Sequence, residues 1–333
     1  MISYLLRRLA GTVPVLVLIS LLVFLLIHAA PGDPTLMLLG EETNAAEIAK
    51  SKARWGLDQP LYVQYWKFLK SVAAGDFGKS FKYAEPVTSV ILSRLPATIE
   101  LAVCAIVIAT LLAIPLGVWA GARPNSWIDN LGTTCGLFGI SMPSFWLAIM
   151  LILLLAGVLN ILPTSGRSTY GIAGPERTGF YILDSVMAKN WQAVWDALTH
   201  LFLPALALGM NMLGILMRVT RSSILEVMNE DYVRTARAKG LREKKVVWHH
   251  VSSNALIPVI TVVGLELGTL LSGSIIVETV FAWPGGGSLL ITALNARDYP
   301  LVTGLVLTYT TAFVAINLII DGLYAVVDPR IRY

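Results

Sequence analysis

The chain has 333 residues, of which 56% are hydrophobic and only 14% charged, with a mean hydropathy of +0.70. A soluble domain carries about a quarter charged residues, so one large soluble core is excluded, and the apolar excess arrives in blocks suited to a polytopic membrane protein. The net charge of +4 does not point to nucleic acid, because Lys and Arg flank the apolar blocks as they do in membrane topology.

Residues 9–32 contain no Asp, Glu, Lys or Arg. The run is long enough to span a membrane at roughly 20 residues per crossing, and longer than the h-region of a secretory signal, roughly 7–15 residues. We expect a retained first helix with Arg7 and Arg8 holding its N-terminus inside. Residues 31–96 form a polar, mixed region with a predicted helix near 45–55. Trp55, Tyr62, Tyr65, Trp66 and Phe68 recur at near-helical spacing. Two readings suit them: an amphipathic helix on the outer membrane surface, or the core of a small packed subdomain. The stretch AAGDFGKS (73–80) imitates a phosphate loop, but no strand precedes it and topology places it outside, so it is not read as a nucleotide site.

The second span is predicted at 97–122, ending at the turn Arg123-Pro124-Asn125. The third, 131–159, contains Ser141-Met142-Pro143-Ser144-Phe145-Trp146, where Pro143 removes a backbone donor and must kink or break the helix. A second outside loop covers 163–199, with a surface helix or two within 180–198. The fourth span is predicted at 200–217, the fifth at 256–279 and the sixth at 301–327. Gly264, Gly268 and Ser272 lie four apart in the fifth, a small-residue face on which another helix can close. Phe281–Gly287 reads as a turn.

Six spans place both termini inside. Arg7, Arg8, Arg123, Arg218, Arg221, the cluster from Arg234 to Lys245, Arg330 and Arg332 then fall on the inner side. The second and third outside loops carry only Arg167, Arg177, Lys189 and Arg297, the asymmetry that orients membrane proteins. The expected divisions are 1–30 (first helix), 31–96 (outer region) and 97–333 (five further spans, with an inner loop at 219–256).

Nothing in the sequence carries enzyme chemistry or a metal site. Cys104 and Cys135 lie in apolar blocks and read as packing residues. His249 and His250 are adjacent rather than i, i+4. Glu100, Glu266, Glu278 and Asp321 lie in or near spans, where carboxylates are expensive and face a bundle interior or water. Glu266, between Gly264 and Gly268, admits three readings: a pore-lining residue meeting substrate amino groups, a structural bond between helices, or a proton relay.

The segment 231–258, DYVRTARAKGLREKKVVWHHVSSNALIP, predicts a short helix, a glycine break at Gly240, and a second basic helix. Ala236 and Ala238 keep the first helix slim enough to lie against a partner. Arg234, Arg237, Lys239, Arg242, Lys244 and Lys245 would hold it there. The plain alternative is a solvated loop on anionic lipid.

This stretch resembles the cytoplasmic loop of ABC importer permeases, whose pattern runs Glu-Ala-Ala, three residues, Gly, nine residues, Ile-x-Leu-Pro. Gly240 falls on the pattern's Gly, while Arg234, followed by Thr235-Ala236, replaces the Glu, and Pro258 lies late. The chain is similar to the dipeptide/oligopeptide/nickel subgroup of that family over nearly its whole length. The similarity runs through LLRRL, Pro31-Gly32-Asp33-Pro34, Gly56-Leu57-Asp58-Gln59-Pro60, Gly75-Asp76-Phe77-Gly78 and Arg94–Leu101. It continues through Ser141–Trp146, Arg221-Ser222-Ser223, Phe281–Gly285, Arg297-Asp298-Tyr299-Pro300 and Asp328–Arg332.

The resemblance implies an all-α, type I ABC importer transmembrane domain in the bacterial inner membrane. It implies a heterodimer with a second homologous permease, two cytoplasmic ATPases that bind the ATP and Mg, and a periplasmic solute-binding protein. Asp231, Arg234, Thr235, Ala236, Arg237, Ala238, Lys239, Gly240 and Leu241 would couple to the ATPases. Ser141, Met142, Pro143, Phe145, Trp146 and Glu266 would lie on the substrate path. Short peptides are the expected cargo, with glutathione or nickel chelates as alternatives in the same class. A proton-coupled carrier using Glu266, Glu278 or Asp321 is the alternative outside it.

Overall fold

The structure, a computed structural model, describes residues 2–29, 59–172 and 177–327. The predicted helix near 45–55, Trp55, the motifs at 31–34 and 56–58 and the terminal 328–332 lie outside the described residues, as do the side chains of Ser272 and Asp321. The described chain is helical almost throughout: α1 (Ile2–Ala29), α2 (Leu61–Ala73), α3 (Val87–Ala122), α4 (Trp127–Ser141), α5 (Ser144–Val158), α6 (Tyr181–Met187), α7 (Trp191–Val227), α8 (Asp231–Ala238), α9 (Glu243–Ala255), α10 (Ile257–Gly273), α11 (Ile275–Val280), α12 (Gly286–Asn295) and α13 (Tyr299–Val327). The later turns of α5 and the middle of α9 widen to π-type winding.

Three of these are single helices long and apolar enough to cross a membrane: α3, α7 and α13 over Tyr299–Ile320. Two bent pairs meet the same measure together: α4 with α5, bent by 108°, and α9 with the following Ile257–Leu270, bent by 52°. In α1, Gly11–Leu26 is a shorter apolar stretch. The third predicted span is therefore not one kinked helix but two helices broken at Met142-Pro143, where Met142 turns extended (ψ 131°) and Pro143 follows at ψ 134°. Predicted ends moved elsewhere as well. α3 starts at Val87 rather than 97, and α7 runs from Trp191 to Val227 rather than over 200–217. Residues 286–295, which the sequence left without an element, form α12.

The described chain divides into two compact units. One comprises Pro96–Ser288 with the stretch beginning at Ala312. Its core joins Leu101, Ala105, Ala109, Leu201, Leu208, Met212, Leu216, Phe281 and Trp283. α7 is its most deeply buried long helix. Backbone closes on backbone along the seam of α4 and α7: a Cβ on Gly214 would stand 2.3 Å from the Gly136 carbonyl oxygen, and one on Gly139 2.6 Å from that of Met210. Such approach is how membrane helices gain packing where lipid removes the hydrophobic drive. The face of Gly264 and Gly268 instead receives the side chains of Ile320 and Phe313 of α13, the helix contact that the spacing predicts.

The other unit comprises the described part of Ile2–Leu95 with Leu289–Thr311, cored by Val87, Ile91, Leu289, Leu301 and Leu305. Here the aromatic series divides between two faces of α2. Tyr65 and Phe68 pack on Phe24 of α1, with ring centroids 5.4 and 5.7 Å away, and the Tyr65 hydroxyl reaches Ser20 at 2.9 Å. Tyr62 and Trp66, on the other face of α2, are exposed. The imitation phosphate loop is a turn: Gly75 and Gly78 take φ of +75° and +80°, and the Ser80 hydroxyl donates to Asp298.

Candidate functional site

The segment 219–256 is built from the end of α7, α8 and α9. Asp231 in the first turn of α8 and Arg237 in its last agree with the helix dipole. Gly240 then takes φ +77°, the left-handed conformation that ends a helix at little cost only for glycine. Across that break Arg237 makes a two-pronged pair with Glu243, at 2.7 Å from Nη2 and 3.2 Å from Nε. These hydrogen bonds push the already high pKa of Arg237 further up. The Asn254 amide donates to the Tyr232 hydroxyl at 2.8 Å, a second tie between α8 and α9.

Val233 and Ala236 are buried with Val118, Ile224, Val246, Val247 and Val251 in one cluster. The small size of Ala236 is thus used inside the chain, which corrects the expectation that it keeps the helix slim for a partner; Ala238 is exposed. Asp231, Arg234, Thr235, Lys239, Gly240, Arg242, Lys244 and Lys245 are exposed too, and Leu241 is half-buried against the cluster. The result is a basic outer face on a braced helix–turn–helix. The rings of His249 and His250 meet edge to face at 5.1 Å. Among the described residues no group of three or more His, Cys, Asp or Glu could hold a metal ion.

The base of this segment is tied through Arg221, which entered the sequence analysis only as an orienting charge. Arg221 donates from Nε and Nη2 to both oxygens of Asp129, the latter at 2.9 Å, so the start of α4 is fastened to the C-terminal part of α7.

Ser141, Met142 and Pro143 form the break between α4 and α5, and the side chains of Phe145 and Trp146 are exposed just after it. Glu266 is half-buried on α10. Its carboxylate accepts the Thr269 hydroxyl of its own helix at 3.1 Å. It lies two residues from Gly264 and from Gly268, on the side of α10 away from the α13 contact. No described contact joins Glu266 to the 141–146 break.

Glu278 and Glu100 are both tied into the fold. Glu278 is fully buried; it accepts the hydroxyls of Thr98 (2.9 Å) and Ser274 (2.7 Å) and the backbone N–H of Ser288 (2.9 Å). A Cβ on Gly285 would stand within its carboxylate, so the Trp283-Pro284-Gly285 turn must be free of side chain there. Trp283 is buried and donates to the Ala97 carbonyl at 2.9 Å. Glu100 receives Arg167 at 2.6 Å and the Ile182 N–H at 3.0 Å, and the Arg167 guanidinium lies over the rings of Tyr181 and Trp283. Beside them Asp184 is buried. Burial alone would raise its pKa, but the Thr178 hydroxyl and the N–H groups of Arg177, Thr178 and Gly179 outweigh it and hold the carboxyl below its ordinary value. Sequence reading listed Glu100 and Glu278 as intramembrane charges but had no signal for these partners. The Gly132-x-x-x-Gly136 spacing on α4 was a legible signal of the α7 seam.

The family model described as "binding-protein-dependent transport system inner membrane component" matches residues 113–333, and the N-terminal membrane-component model of the same transport systems matches residues 1–102. The dipeptide transport system permease protein DppB of Alkalihalophilus pseudofirmus is 41% identical over 333 residues, covering 100% of both chains. Its Escherichia coli K12 namesake is 43% identical, covering 100% of this chain and 99% of its own. The glutathione transport system permease protein GsiC of Salmonella paratyphi A is 41% identical and covers 100% of both.

Proposed function

The chain belongs to the family of binding-protein-dependent transport system inner membrane components, and on that premise we propose that it is a membrane-spanning permease subunit of an ATP-driven importer of short peptides. The observation that carries this reading is the end-to-end likeness, 41–43% identity, to dipeptide permeases. The partners are a second homologous permease, an external binding protein that delivers the peptide, and two cytoplasmic ATPases that hold the ATP and Mg. Transport is by alternating access. Closure of the ATPase pair pushes the basic face of α8, and the braced α8–α9 segment carries the motion into α7 and α10. The bidentate Arg237–Glu243 pair, the Tyr232–Asn254 bond and the buried Val233 cluster support this role, because a lever must resist bending.

Glutathione, itself a tripeptide, is the second reading, supported by 41% identity to a glutathione permease. The test is reconstitution of this chain with its partner subunits in liposomes. ATP-dependent uptake of dialanine is expected. Uptake that ignores ATP and follows an imposed proton gradient would replace the importer with a secondary carrier, and ATP-dependent uptake of glutathione alone would select the second reading.

A further inference from the structure

α7 shows two exposed stripes on opposite faces. Toward its N-terminus Trp191, Trp195, Leu198 and Phe202 are exposed and share one face by their spacing of four, three and four. At 3.6 residues per turn, the nine residues from Phe202 to Asn211 are about half a turn beyond whole turns. Asn211 therefore stands opposite, and seven and eleven residues later Arg218 and Ser222 return to within about 20° of it. All three are exposed, while their neighbours Leu208, Met212, Leu213, Leu216 and Met217 are buried.

The flanks between the stripes are closed by packing. Gly209 abuts the Ala105 carbonyl, Gly214 abuts Gly136, and Thr220 and Ile224 fill the places beside Gly117 and Gly121. No hydrogen bond or ion pair of the Asn211, Arg218 or Ser222 side chains occurs among the described residues. An amide and a guanidinium without partners are not stable against hydrocarbon, whereas the aromatic stripe is at home there and its tryptophans suit the interface.

We propose that Asn211, Arg218 and Ser222 line the water-filled path through the permease, and that Asn211 contacts the passing peptide. The proposal rests on the peptide-import reading for its cargo alone. The chemistry is complementary: a carboxamide offers both a donor and an acceptor to a peptide bond, and a guanidinium further along the same face offers a two-pronged seat for the terminal carboxylate.

The experiment is cysteine scanning in the assembled transporter in proteoliposomes, with Cys104 and Cys135 first replaced by alanine. Asn211→Cys and Ser222→Cys are compared with Phe202→Cys on the opposite stripe and Leu203→Cys, which is buried, using a membrane-impermeant anionic thiosulfonate. At least tenfold faster labelling at 211 and 222 than at 202 and 203 is expected, with labelling at 211 slowed at least threefold by dialanine and the binding protein. Labelling at 211 and 222 no faster than at 202 overturns the path, whether that face is covered by the second permease or by lipid. Fast labelling indifferent to dialanine, in a complex that imports dialanine, overturns the substrate contact. If the complex imports no peptide, the labelling still judges the path, and it is the peptide reading that falls.

Discussion

The carboxylate of Asp298 accepts the hydroxyl of Ser80, 218 positions earlier in the chain, at the centre of a fully buried junction. The same oxygen accepts the N–H of Lys82 at 3.0 Å, and the other accepts that of Leu301 at 3.2 Å, capping the first turn of α13. Ser80 in turn accepts the Tyr83 N–H at 3.1 Å. One acid therefore fixes the start of a long apolar helix and the turn at 75–83 together. Asp298→Ala removes a helix cap, costing about 1 kcal/mol, and leaves buried donors unmet at about 1–3 kcal/mol each. We expect roughly 3 kcal/mol of destabilisation in reversible unfolding in detergent, against about 1 kcal/mol for Ser80→Ala. Equal, small losses for both would show that the junction is solvated.

The seam of α4 and α7 predicts opposite signs for one substitution at two sites. Gly214→Ala places a methyl 2.3 Å from the Gly136 carbonyl oxygen and 2.8 Å from Ile140. Backbone cannot swing aside as a side chain can, so the helices must separate, at about 1–3 kcal/mol. Gly11→Ala in α1 meets nothing within 4 Å and should stabilise by about 0.5–1 kcal/mol through helix propensity. Thermal unfolding of the two variants in one detergent checks this. A Gly214→Ala protein as stable as the parent would mean that the seam is looser than drawn.

These junctions mark where reading the sequence stops. The apolar blocks, the break at Pro143 and the helix–glycine–helix of 231–255 were legible because each follows from local chemistry: hydropathy, a missing donor, a positive φ. α3 and α7 ran longer than their apolar blocks because helix continues through Ser93-Arg94 and through Trp191–Thr199, where polar residues interrupt the hydropathy and one of them, Asp196, finds its partner in Thr169, 27 positions away. The partners of Glu100, Glu278, Asp129 and Asp298 were not legible. Their donors lie up to 218 positions away, and no periodicity encodes which hydroxyl a buried carboxylate will meet. Ala236 was misjudged for the same reason: smallness fits an internal contact as well as an external one.

Asp184 gives the turn at 177–184 a dependence on pH. Its folded pKa is below the unfolded value near 3.9, so the ionised form binds its donors more strongly in the folded chain. That stability is fully present above the unfolded value and is lost as pH falls through the folded one. Hydrogen-exchange protection at Arg177, Thr178 and Gly179, corrected for intrinsic rates, should be flat from about pH 7 to 5 and fall below about 4. Asp184→Asn should remove the acid step. Protection that declines steadily from neutral pH would assign the effect to another group.

Gly240 separates backbone strain from contact with a partner. A Cβ there meets nothing of this chain within 4 Å, while φ is +77°. Within the chain the requirement is thus conformational alone. Asparagine tolerates the left-handed region, whereas a β-branched residue is an outlier there. Gly240→Val should therefore shift α8 relative to α9, straining the Arg237–Glu243 pair and uncoupling the reconstituted transporter, with transport per ATP hydrolysed falling at least fivefold. Gly240→Asn should keep the turn and most of the coupling. Normal transport per ATP in Gly240→Val would remove α8 from the coupling path. A Gly240→Asn protein as uncoupled as Gly240→Val would place a partner surface directly over the turn, where the added side chain intrudes.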